Sequence, residues 1–281
     1  MAHSTTIAAE ETAQRRAVTR QGSSGILLPA ASLWWREIVR FYRQRSRVIG
    51  VILSPLLFWL VIGSGFGTSF RAKDGSGHYL EYFFPGALTM IVLFTSIFAM
   101  MSVIEDRKEG FLLSVLVAPI SRTVIVLGKV LGGTTLAAAQ GLIFLVFAPF
   151  IGVHFGLEQF GLVALIVVLV SFSLTALGFA IAWKMDSTQG FHAIVNLLLI
   201  PLWLLSGALF PLSGASGWIR WIMRANPLTY GNEGLRAVLF PGSAAAEFPV
   251  STCVSVLAGF SVVVFLAAFL IANRRSTKPA A

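Results

Sequence analysis

Three sets of polar residues are spaced so that they could do chemistry. The densest is Glu105, Asp106, Arg107, Lys108, Glu109, Gly110 and Phe111, a run of charges that passes into an apolar stretch at 112–117 and stops at Ala118 and Pro119. Mixed charges ending on an aromatic ring suit a docking contact, in which the charges choose the partner and the ring anchors it. A solvated helix end that merely turns the chain is the plainer reading. The second set is Asn226, Pro227, Tyr230, Glu233 and Arg236. Asn226 suits an N-cap and Pro227 a first helical residue, so a short helix should run from there to about Phe240, with Glu233 and Arg236 three apart and able to pair. Gln140 and Asn196 form the third set, polar residues at the depth of apolar runs, where they either hydrogen-bond between helices or line a route.

Other chemistries find no residues to carry them. The one Gly-Lys pair, Gly128 and Lys129, runs on into Val130 without the Ser or Thr of a phosphate loop, so no ATP site of that kind is expected. His3, His78, His154 and His192 are scattered, and no zinc-binding spacing joins them. Cys253 is the single cysteine and stands in an apolar run, which makes packing its expected role. A membrane-embedded enzyme would need a nucleophile, base or metal converging at one depth, and none can be picked out.

These residues are set in an apolar chain. Of 281 residues 56% are hydrophobic and 12% charged, about half the charge of an ordinary soluble domain, which excludes a cytosolic globular enzyme. The mean hydropathy is +0.82. Crossing about 30 Å of hydrocarbon takes roughly 20 residues of helix. Six runs meet or approach that length, at 48–66, 83–104, 124–153, 161–183, 191–212 and 252–272. An all-α polytopic membrane protein is therefore expected. The third run is long enough to tilt or to begin in the interface, and the fifth should kink near Pro201. Gly128 and Gly132 permit close approach of another helix.

Placing the amino terminus in the cytoplasm puts sixteen of the 21 Lys and Arg on the inner side, so both termini are expected there. Residues 1–31 read as a disordered cytoplasmic tail without an export signal, and 273–281 as a second cytoplasmic tail. Arg15 and Arg16 are followed by polar residues rather than the apolar core of a twin-arginine signal. Between 32 and 47, Arg36, Arg40, Arg43 and Arg47 recur at helical spacing, with Trp34, Ile38, Phe41 and Tyr42 opposite and Trp35 and Val39 flanking. This predicts an amphipathic helix flat in the inner leaflet, its arginines toward anionic headgroups, against the alternative of a helix packed on protein. Nucleic acid is not an expected partner. Trp218, Ile219, Trp221, Ile222 and Met223 make a patch too short to span. With the helix after Asn226 it predicts an external re-entrant hairpin, its tryptophans at headgroup level.

Three stretches together resemble the permease subunits of ABC type-2 transporters, the group with drug and lipo-oligosaccharide exporters. They are Tyr82, Phe83, Phe84, Pro85 and Gly86; the charged run with Ala118, Pro119, Ile120, Ser121 and Arg122, then 127–132; and 205–212 followed by Asn226 to Tyr230 and Arg236. The chain departs from many members in having Phe111 and Leu112 after Gly110, where they carry threonine and an acidic residue. The resemblance implies a half-transporter that dimerises and binds two copies of a separate ATPase subunit, which holds the ATP and magnesium. It implies that the amphipathic helix and residues 105–111 touch those ATPases, and that the segment from Pro227 to Arg236 helps close an outer gate. Drug-like hydrophobic or amphiphilic cargo is the expectation, with polysaccharide or lipid-linked oligosaccharide export and a cargo-free assembly factor as alternatives.

Overall fold

Backbone in a bilayer must pair its polar groups within the segment, so long apolar runs become helices. The computed structural model describes residues 27–65, 79–117, 121–153, 156–242 and 246–274, without the side chains of residues 46, 47, 51, 52 and 116. Residues 1–26, Phe66, Arg71, Lys73, the stretch from Ala118 to Ile120, the Arg47 side chain and residues 275–281 lie outside the described set. Among the described residues there are helices and no strands, and six segments are long and apolar enough to cross a membrane. They are Val48–Gly65, Tyr79–Lys108, Arg122–Ile151, Leu157–Trp183, Thr188–Ala208 and Val250–Asn273, each overlapping an expected run.

The chain enters through α1 (Leu27–Arg43), breaks at Gln44 and continues as α2 (Arg45–Gly65). The entry helix therefore starts earlier than the expected Ser32 and ends before Arg47, and residues 27–31 are helix rather than tail. Pro29 falls in the first turn, where the amide hydrogen that proline lacks would have had no partner. The second span is α3 (Tyr79–Ala99) followed after a turn at Met100 by α4 (Met101–Lys108). A short α5 (Phe111–Val117) leads to α6 (Arg122–Phe144), which tightens into a 3-10 turn at Leu145–Ile151. Helices α7 (Leu157–Trp183) and α8 (Thr188–Trp203) follow.

α3 is the central element. Phe83, Phe84, Leu88, Ile91, Leu93 and Ile97 are wholly buried against α2, α6 and α7. α11 (Val250–Asn273) packs chiefly on α7 at the edge. Arg122, at the start of α6, donates to the carbonyls of Ala272 (3.0 Å) and Arg274 (3.3 Å), which puts the start of the third span and the end of the sixth on one side. That side also carries α1.

The entry helix is packed on protein. Ala30, Leu33, Glu37 and Phe41 form its buried face, laid on α6. A Cβ at Gly128 would come within 2.6 Å of Leu33 Cβ, and one at Gly132 within 2.8 Å of Glu37 Cβ. No side chain fits at either place. The glycine pair thus receives α1. Ala30 and Leu33 also join Leu112, Val124 and Ile125 in a small second core that seats α5.

On the far side, α8 runs through Pro201 without breaking, and the irregularity falls just after it as a π turn at Leu204–Ala208. Gly207 there has φ +76°, a left-handed conformation that glycine adopts at little cost. A 3-10 turn at Leu212–Gly214, α9 (Gly217–Ala225) and α10 (Pro227–Leu239) complete the expected hairpin. α10 is buried along most of its length against α7, α11, the π turn and α3.

A Gly132→Leu variant should lift α1 from α6. With Cys253→Ser and Leu33→Cys as a reporter, maleimide labelling at position 33 should accelerate severalfold over the same reporter with glycine retained at 132.

Candidate functional site

Where α1 crosses the second and third spans, five cations and carboxylates meet around one buried lysine. Lys129 Nζ donates to Glu37 Oε1 (2.6 Å), to Ser102 Oγ (3.1 Å) and to Asp106 Oδ2. Ser102 Oγ donates in turn to the other Glu37 oxygen at 2.6 Å. Glu37, Ser102, Asp106 and Lys129 are all buried. Their burial is tolerable only because the charges offset one another and the remaining lone pairs are filled. Arg36 takes Asp106 in a two-pronged contact at 2.9 and 2.7 Å, and Arg40 bridges Asp106 (2.6 Å) and Glu105 (2.8 Å). The hydrogen bonds to Asp106 hold the Arg36 guanidinium above its ordinary pKa. Asp106 therefore serves three cations.

This arrangement corrects the expected orientation of the basic stripe. Arg36 and Arg40 turn onto the carboxylates of α4 rather than toward headgroups, while Arg43 is exposed. The ring side is divided too. Phe41 is buried, Trp34 donates to Thr135 Oγ1 at 3.0 Å, and Trp35, Val39 and Tyr42 are exposed. The charged run is equally altered from a free docking segment. Glu105 and Asp106 bind α1, and Arg107 caps the end of α7 through the carbonyls of Trp183 (2.6 Å) and Met185 (2.9 Å) and the Asp186 carboxylate (2.9 Å). Phe111 is covered by Arg36, whose guanidinium carbon lies 3.6 Å from the ring centre. Exposed among the described residues of this run are Lys108 at the end of α4, Glu109, which Arg40 reaches at 3.4 Å, and Leu113, Ser114 and Val117 on α5. Gly110, with φ +76°, makes the turn between the two helices.

Glu37, Ser102, Leu113 and Val117 escaped the sequence reading. A lone glutamate inside a basic stripe was the available signal for Glu37, and Lys129 within an apolar run for its partner. Nothing local marks Leu113 and Val117 apart from their neighbours.

A second polar cluster holds the far side. Asn226 caps α10 by accepting from Leu228 N (3.0 Å) and reaches back to the carbonyls of Leu202 (2.6 Å) and Leu205 (3.0 Å). Pro227 follows it as the first helical residue. Asn232 joins Thr89 of α3 (2.7 Å) to Ser206 Oγ (2.7 Å). Glu233 and Arg236 pair within α10, both buried. Arg236 also donates to Gly207 O (3.0 Å) and lies over Tyr82, whose hydroxyl donates to the same carbonyl at 2.9 Å. Glu233 accepts from Glu247 N at 2.7 Å. Burial raises the Glu233 carboxyl above its ordinary pKa, and Arg236 works against that rise. Tyr230 sits at the edge, donating to Arg224 O at 2.9 Å. Gln140 is buried and accepts from Thr95 Oγ1 at 2.6 Å, so it bonds between helices, whereas Asn196 is exposed on α8.

Six spans, an entry helix clamped at one side and a capped helical hairpin at the other define a polytopic membrane protein built around fixed ends. Residues 30–240, from α1 through α10, match the ABC-2 type transporter family, and the chain belongs to that family. It is 30% identical over 209 residues to the transport permease ycf38 of Cyanophora paradoxa, covering 72% of this chain and 70% of that protein. It is 23% identical over 235 residues to the daunorubicin resistance ABC transporter permease protein DrrB1 of Streptomyces coeruleorubidus, covering 79% and 78%. With the inner membrane transport permease YadH of Escherichia coli K12 the identity is 24% over 246 residues, covering 86% and 94%.

Removing one partner from a buried ion cluster typically costs about 3–5 kcal/mol, because the others are left uncompensated. Lys129→Met should lower stability by about that amount, read as a fall in thermal midpoint in detergent. Adding Glu37→Gln should recover part of the loss. Additive losses in the double variant would mean the two residues do not share a cluster.

Proposed function

We propose that this transport permease is the membrane subunit of an ATP-driven exporter of hydrophobic or amphiphilic, drug-like compounds. It has no ATP site of its own and works as a homodimer with two copies of a separate ATPase subunit, which holds ATP and magnesium. It sits in the cell membrane with both termini in the cytoplasm. The observation that carries this reading is the exposed set Lys108, Glu109, Leu113 and Val117, held on a turn and helix whose surroundings are rigidly clamped. An apolar pair beside two opposite charges on an immobile mount can receive force from a partner, since a floppy loop would absorb the motion. The clamp through Asp106 and Lys129 then passes that push to α1 and α6, and the turn at Gly110 to α4.

Asn196 supports a second copy. It is exposed among Leu197, Leu198 and Ile200, also exposed, on a face where an unpaired amide in lipid would be costly. Facing another permease or the route between two copies relieves that cost. Alternating access follows if ATP-driven closure of the partners changes how the two copies pack, with Glu233 and Arg236 helping to hold the outer end shut between strokes. The daunorubicin resistance relative favours drug-like cargo.

Lys108→Glu and Leu113→Asp, both at exposed positions, should reduce ATP-dependent transport by tenfold or more in vesicles reconstituted with the ATPase subunit, while the thermal midpoint stays within a degree or two of wild type. Transport at the wild-type rate in both variants would remove this surface from the coupling path. Charge reversal at Glu105, which Arg40 binds, should instead lower stability as well as transport.

A further inference from the structure

Halfway through the bundle, α3, α6 and α7 meet at three polar side chains, Thr95, Gln140 and Ser171, each in the middle third of its span and at most 2% exposed. Gln140 Nε2 and Ser171 Oγ have no hydrogen-bond partner among the described residues. We propose that Gln140 and Ser171 share one bound water, which ties the three spans together at mid-membrane. The site does not depend on what the chain transports.

Other buried hydroxyls nearby are satisfied by carbonyls of their own helices. Thr175 donates to Ser171 O at 2.6 Å, Ser173 to Val170 O at 3.0 Å and Thr134 to Val130 O at 2.7 Å. Ser171 Oγ makes no such bond. Its direction follows from its neighbours on α7. A Cβ at Gly133 would come within 2.6 Å of Thr175 Cγ2, and one at Gly141 within 3.1 Å of Val167 Cγ1. Val167, Ser171 and Thr175 follow at four-residue steps, so Ser171 lies on the same face of α7, opposite Ala137 of α6. Gln140 stands three residues further along α6, about one turn away. The methyl of Ala137 leaves room that a larger side chain would take.

α3 closes the site. Ser96 donates to Ser171 O at 3.3 Å, and the adjacent Thr95 lies 2.6 Å from Gln140 Oε1. Thr95 Oγ1 is also 2.8 Å from Ile91 O and has a single hydrogen to give. Given to Gln140, that hydrogen leaves Nε2 bare. Given to Ile91, it lets the amide turn and donate to Thr95, which leaves Oε1 bare instead. One amide atom lacks a protein partner in either orientation. A water answers both, because it donates and accepts, and it fills the Ser171 hydroxyl at the same time. The groups that meet here carry no charge, and an uncompensated ion in such surroundings would be costly, so the ligand is neutral.

Ser171→Ala in the full-length chain tests this by the sign of its effect. Removing a hydroxyl that holds a water should lower the thermal midpoint in nanodiscs by about 2–4 °C, as expected for one hydrogen bond lost from a chain of this size. Removing an idle hydroxyl from apolar surroundings should raise the midpoint or leave it unchanged, and that result overturns the site. Gln140→Leu should lower it too, and Gln140→Leu/Ser171→Ala should cost less than the two losses added together, since the first substitution already releases the water. Additive losses overturn the sharing. A crystal structure of the full-length chain grown from a lipid mesophase, at a resolution that shows ordered waters, gives the direct reading. A water within roughly 2.7–3.2 Å of both side chains is expected. A dry site, Ser171 Oγ donating to Val167 O, or a Gln140 amide paired at both atoms with protein groups each overturns the proposal.

Discussion

A lysine buried at the end of a membrane span must be met by anions, and most of the α1 side of this protein follows from that requirement. Lys129 is met by Glu37 from α1 and Asp106 from α4, so two elements far apart in the chain are fixed on the third span at once. In surroundings of low dielectric each of these attractions is strong, and each carboxylate would be costly to leave alone. Asp106 draws in Arg36 and Arg40 as well, which settles the rotation of α1 about its axis. With that rotation set, Ala30 and Leu33 fall against the glycines of α6 and complete the apolar seat of α5.

The opposite side solves its polar problem by a different route. Glu233 and Arg236 belong to one helix, and their outer partners are backbone groups of Gly207 and Glu247. The second span touches both arrangements, with Tyr82 near one end and Asp106 near the other. Twenty-four residues separate them, helical on either side of the turn at Met100 and at most on the order of 36 Å in length. A movement imposed at the α4 end therefore has a largely buried pair of helices along which to reach the π turn.

Much of this was legible in the chain, because hydrocarbon leaves so few solutions. The six spans, the cap at Asn226 and the pairing of Glu233 with Arg236 all rest on local spacing, and local spacing is what a sequence displays. The entry helix was legible as an element but not in its orientation. Periodicity placed four arginines on one face, yet the carboxylates that claim Arg36 and Arg40 lie 65 to 70 residues away, beyond any local pattern. The same gap hid the use of Glu105, Asp106 and Arg107 within the fold, so a run that read as an open docking segment proved largely occupied. Glu37 was the overlooked clue, a charge with no local reason to be where it is. Gln140 and Asn196 looked alike as isolated amides in apolar runs, and only packing separates the buried one from the exposed one.

The distance along the chain between Glu37 and Lys129, 92 residues, sets an order of events at the ribosome. Glu37 and Asp106 are both synthesised before the lysine that neutralises them. Until the third span arrives, the nascent protein carries two carboxylates that can be kept only in water or beside the arginines next to them. Insertion of that span is the moment at which they can be drawn into the interior, so the first half of the molecule matures only once its own later product is delivered to it.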